Sequence, residues 1–96
     1  MNFPDDFCPK RREDLLKRDL EDGCVLYDQS IKKVFTLNTT AALIWEYCDG
    51  STTIDTLAQE LSIAGGKKKE EVLEDVKSVI SDFQEKKLLQ IENEAQ

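Results

Sequence analysis

The sequence predicts an α+β domain in which a three-stranded antiparallel sheet precedes three helices, the order of a winged helix-turn-helix. Up to about residue 37 the apolar residues alternate in short runs separated by turn chemistry, and from Asn38 onward they recur at helical spacing. Length supplies a third observation. At 96 residues the chain makes one domain, and folding buries only about two-thirds of the surface its unfolded form exposes. That size argues against a large enzyme core enclosing a deep cavity. Its 40% hydrophobic content still suffices for a small core, despite 34% charged residues.

Taken in order, residues 1–10 carry both prolines, Pro4 and Pro9, and read as a flexible N-terminal arm ahead of a domain spanning residues 11–91. Asp14 to Leu20 is read as a strand. Asp22-Gly23 supplies turn chemistry, and Cys24-Val25-Leu26-Tyr27 forms a second strand. Asp28 to Ser30 turns the chain into Lys33-Val34-Phe35-Thr36-Leu37, where Phe35 and Leu37 share one face and Val34 and Thr36 the other.

Asn38, Thr39 and Thr40 are suitable helix caps, after which Ala41, Ile44, Trp45 and Cys48 fall on one helical face. Asp49-Gly50 ends this helix. Ser51 or Thr52 can cap a second helix, whose inner face carries Ile54, Leu57, Ala58 and Leu61 and which Gly65-Gly66 closes. A third helix is expected from about Lys68 to Lys86, with Val72, Leu73, Val76, Val79, Ile80 and Phe83 as its apolar stripe. Leu88, Leu89 and Ile91 read as a last short strand and residues 92–96 as a frayed tail.

Thirteen cations against twenty acids and no histidine give a net charge of −7, which opposes binding to phosphate backbones. A major-groove helix needs Arg, Lys, Asn or Gln near its start. The second helix offers Asp55, Gln59 and Glu60 with no Arg or Lys, so the winged-helix regulator reading fails on electrostatics and no nucleic-acid partner is expected. The longest uninterrupted apolar run is Ala41 to Trp45, so no membrane partner is expected either and the reading is a cytoplasmic protein. Cys8, Cys24 and Cys48 show neither a C-x-x-C pair nor a partner histidine, so they read as free thiols without a disulfide, metal or nucleophilic role. With no phosphate loop or activated nucleophile, the chain reads as no enzyme and as needing no cofactor.

Leu37-Asn38-Thr39-Thr40-Ala41-Ala42-Leu43-Ile44-Trp45, followed by Asp49-Gly50 and Thr53-Ile54, resembles the signature of the PqqD family. The resemblance extends upstream through Gly23-Cys24-Val25-Leu26-Tyr27-Asp28 and downstream through Val72, Asp75, Val76 and Leu88-Leu89, where Lys86-Lys87 stand in place of a common glycine. It implies three strands followed by three helices. It also implies a non-catalytic recognition element that holds the leader segment of a ribosomally made precursor peptide. The leader is presented to a modifying enzyme, often of the radical S-adenosylmethionine type, in pyrroloquinoline quinone or related peptide biosynthesis. A generic acidic protein-interaction module is the other reading.

The resemblance places the leader as an added strand on Lys33, Val34, Phe35, Thr36 and Leu37, in a groove walled by the third helix. Strand addition needs an unpaired edge free of proline, which this segment satisfies. On the helix, Lys68, Val72, Asp75, Val76 and Val79 are the candidate contacts, with the valines serving the core first. Lys32, Lys33 and Lys67 to Lys69 would form a basic mouth that steers an acidic leader. That mouth must outweigh its surroundings locally, because residues 49–96 hold eleven acids against six cations.

Overall fold

The computed structural model describes residues 3–90; Ile91 of the expected last strand and the expected tail at 92–96 lie outside them. The elements follow in the order β1 (Leu16–Leu20), β2 (Gly23–Asp28), β3 (Lys33–Asn38), α1 (Thr39–Tyr47), α2 (Ile54–Gly65) and α3 (Lys69–Glu85). The sheet is an antiparallel meander in the order β1-β2-β3, so β1 and β3 are its two edges.

Strand alternation sorts the sheet into two faces. Cys24 and Leu26 of β2 and Leu37 of β3 are buried with Ile44 and Trp45 of α1, Leu57 of α2, and Ile80 and Phe83 of α3. The opposite face carries Val25, Tyr27, Val34 and Thr36, half-buried or exposed. Glu21-Asp22 is the two-residue loop between β1 and β2, since Leu20 is paired with Gly23. Gly23 has φ +149°, and a Cβ there would land on the carbonyl oxygen of Leu37. The glycine is thus required by the close approach of β3 as well as by the adjoining turn.

Caps fix where the helices begin and end. Asn38 caps α1, its side-chain oxygen accepting from the Ala41 N–H at 2.8 Å. The cap of α2 is Thr53 rather than Ser51 or Thr52. The physical reason is the Asp49 carboxylate, which accepts from the N–H groups of Ser51 (2.8 Å) and Thr52 (2.9 Å) and holds both in the preceding turn. Gly66 ends α2 at φ +69°. At the end of α3, the Leu88 N–H donates to the Phe83 carbonyl (2.9 Å) and the Lys87 N–H to that of Gln84 (3.0 Å), a Schellman closure with Lys87 in the left-handed position at φ +59°.

The N-terminal segment departs from the expected flexible arm. Phe3 is buried and stacks on Phe7 with ring centroids 5.4 Å apart. The carbonyls of Phe7 and Asp5 accept from Ile54 (2.9 Å) and Asp55 (3.0 Å), first-turn N–H groups of α2 that no intrahelical carbonyl can serve. Asp5 also meets Lys77 of α3 at 3.0 Å. Apolar burial and orphan helix donors together hold the segment in place. The expected strand after α3 reduces to an isolated bridge between Arg11 and Leu89, with Leu88 and Leu89 buried.

Candidate functional site

Because β3 is an edge strand, its backbone groups facing away from β2 have no strand partner among the described residues. Beside its C-terminal end a groove of about 630 Å³ runs between the β3–α1 corner and α3. Asn38, Thr40 and Ala41 form one wall, and Asp75, Ser78, Val79 and Asp82 form the other. The helix-side residues recur at i, i+3, i+4 and i+7, the spacing of one stripe. A second, more apolar cavity of about 310 Å³ opens between α1, α2 and α3, lined by Leu43, Leu61, Val72 and Val76 among others. The two share Thr40, Lys67 and Asp75 in their linings and so lie side by side.

The expected site residues divide into three groups. Lys33, Val34 and Thr36 are exposed on β3, Phe35 is half-buried against the core, and Leu37 is buried, so Leu37 offers only main-chain atoms. Asp75 and Val79 face the larger groove, while Val72 and Val76, both buried, line the smaller cavity. Lys68 is the first residue before α3 and lines neither, whereas its neighbour Lys67 lines both. Ser78 and Asp82 of α3 and Leu43 of α1 were not singled out by apolar periodicity, whereas Ala41 was read as a core-facing residue and Thr40 as a cap. Ser78 and Asp82 are polar and Leu43 lies off the α1 stripe, although the spacing of Ser78 and Asp82 from Asp75 was readable.

The electrostatics are mixed. Asp75, Asp82 and Glu85 line the larger groove with Lys67 as its single lining cation. Asp82 is offset by Lys86 at 3.0 Å, and Lys69 is engaged by Asp55 at 2.6 Å. Among the described residues Lys32, Lys33, Lys67 and Lys68 make no ion pair, so free positive charge sits at the start of β3 and at the start of α3. Cys24 and Cys48 are poor nucleophiles: burial raises the Cys24 thiol and pushes the Cys48 thiol up to about 12.

A family model described as coenzyme PQQ synthesis protein D (PqqD) matches residues 23–89, from the first residue of β2 to the bridge after α3. The chain belongs to the PqqD family. A structural match to TbiB1, solved in complex with the TbiA(beta) leader peptide, has a TM-score of 0.74 at 17% identity and covers 91% of this chain and 99% of that one. The PqqD-family fold of three antiparallel strands and three helices is therefore shared across nearly the whole of both chains. No curated protein matches by sequence. No described helix is long and apolar enough to cross a membrane.

Proposed function

We propose that this PqqD-family protein is a non-catalytic recognition and chaperone protein for the leader segment of a ribosomally made precursor peptide. The leader adds as a strand to the free edge of β3 along Lys33–Leu37, and α3 forms the far wall of its groove. A separate peptide-modifying enzyme, of the radical S-adenosylmethionine or another type, then receives the peptide in pyrroloquinoline quinone or related biosynthesis. The observation that carries this reading is the open, proline-free edge of β3 lying next to a depression lined by α3. The leader peptide bound to TbiB1, a protein of the same fold, supports it.

Each residue has a part in that arrangement. Along Lys33–Leu37 the main-chain groups of alternate residues, those pointing away from β2, supply ladder hydrogen bonds, which are tolerant of sequence. Selectivity comes from side chains: Val79 and Asp75 contact the incoming strand, and Val72 and Val76 form the floor of the apolar cavity that takes one anchoring side chain. The carboxylates that line the larger groove favour a leader whose acidic residues lie away from them, against Lys33 at the start of β3 and Lys67 and Lys68 at the start of α3.

The test is a titration of labelled precursor peptide followed by amide chemical shifts. Saturable shifts in Lys33–Leu37 and α3 are expected. Shifts confined to other surfaces would sink the docking geometry.

A further inference from the structure

We infer that the free edge of β1 is an interface between two copies of this chain, formed by antiparallel self-pairing centred on Arg18. The leader edge, β3, lies at the other side of the sheet, so this contact is independent of peptide recognition. All five residues of β1, Leu16-Lys17-Arg18-Asp19-Leu20, are exposed, and no described residue pairs with the strand's outer edge.

The five residues read as self-complementary about their centre. A two-fold axis through Arg18 sets Leu16 opposite the partner's Leu20 and Lys17 opposite the partner's Asp19, so that every pairing off the axis is apolar with apolar or cation with acid. The faces agree as well. Lys17 reaches Glu46 of α1 and pairs with Asp19 at 2.8 Å within its own chain, which places both on the helix-covered side. Leu16 and Leu20, 53% and 44% exposed, lie on the opposite side. There Leu16 continues a row through its pairing partner Tyr27 to Val34, itself 60% exposed. Self-pairing covers the leucines and joins the two three-stranded sheets into one of six strands.

Three charges in a five-residue edge strand would repel an arbitrary apolar edge, the usual protection against promiscuous pairing. Against its own copy Lys17 and Asp19 are matched and only Arg18 meets its like on the axis, so the two matched pairs select the partner while the Arg18 pair keeps the contact weak. Such a contact is small beside the roughly 1,200–2,000 Å² of a stable complex, so the association is weak and concentration-dependent.

Sedimentation equilibrium of the full chain across a wide concentration range tests this. The expected result is a monomer–dimer equilibrium weakened at least tenfold by Lys17→Asp or by Asp19→Lys, and restored when both are combined, because the doubly reversed strand is again self-complementary. Asp19→Lys retains Lys17 and its Glu46 contact, which separates interface loss from loss of fold. Saturable peptide binding should be unchanged in all three variants. A monomer at every concentration, single variants that associate normally, or a double variant that fails to recover would each overturn the proposal. Loss of peptide binding with dimerisation intact would instead count against the leader reading.

Discussion

The guanidinium of Arg12 donates from Nη1 to Oδ2 of Asp28 at 2.9 Å, joining the segment before β1 to the end of β2. The same nitrogen donates to the Lys87 carbonyl at 3.0 Å, and the other Asp28 oxygen accepts from the Ser30 N–H and hydroxyl at 3.0 and 2.6 Å. One carboxylate therefore shapes the loop that delivers the chain into β3 and, through Arg12, ties it to the end of α3. Both walls of the groove depend on this junction.

Removing either partner should cost more than removing an exposed pair. Asp28 is only 3% exposed, so Arg12→Ala strands a buried carboxylate. Arg12→Ala and Asp28→Asn are each expected to lower the thermal midpoint further than Lys86→Ala, which breaks the exposed Lys86–Asp82 pair in the last turn of α3. Differential scanning calorimetry of the three variants decides the order.

Stability should be flat near neutrality and fall at both extremes. Asp28 is held below the usual carboxylate range by the Ser30 hydroxyl and Arg12, Asp14 by Arg12, and Asp49 by the N–H groups of Ser51 and Thr52. Depressed carboxylates contribute stability above their unfolded pKa of about 4 and lose it as pH falls through the folded values. Cys48 works in the opposite sense. Its thiol, pushed up to about 12 by burial, contributes below the unfolded value of about 9 and loses that contribution as pH rises toward 12. With no histidine, urea midpoints should show no step between pH 5.5 and about 8.

Lys87→Gly should stabilise the protein by about 0.5–1 kcal/mol, because glycine relieves the left-handed strain at φ +59° while gaining some unfolded-state entropy. Asn38→Ala should cost about 1 kcal/mol through loss of the α1 cap. Chemical denaturation measures both.

Most of the fold was legible because strand alternation and helical spacing are local signals. The six elements, the Asn38 cap and the Gly66 stop were readable from residues a few positions apart. The packed segment at residues 3–10 was not, since Phe3 and Phe7 acquire their role only when the orphan N–H groups of Ile54 and Asp55 come beside them. The same holds for the groove. Lys33 to Leu37 could be named as an open edge, but which α3 residues face it depends on the rotation of that helix against its core stripe, and this brings in Ser78 and Asp82.

Charge reversal at the two ends of the groove should act mainly on association. Lys33→Glu and Lys67→Glu are expected to slow capture of an acidic peptide several-fold at low salt, with the difference shrinking as salt is added. Stopped-flow fluorescence reads the rate directly.

Strand addition on β3 has one signature that side-chain contacts alone do not give. Amide hydrogen exchange of the protein with and without saturating precursor peptide should show new protection on alternate residues of Lys33–Asn38, those whose N–H points away from β2. Val34→Pro should weaken binding if that N–H faces the peptide. Saturating peptide that leaves every β3 amide exchanging at its free rate would contradict the account.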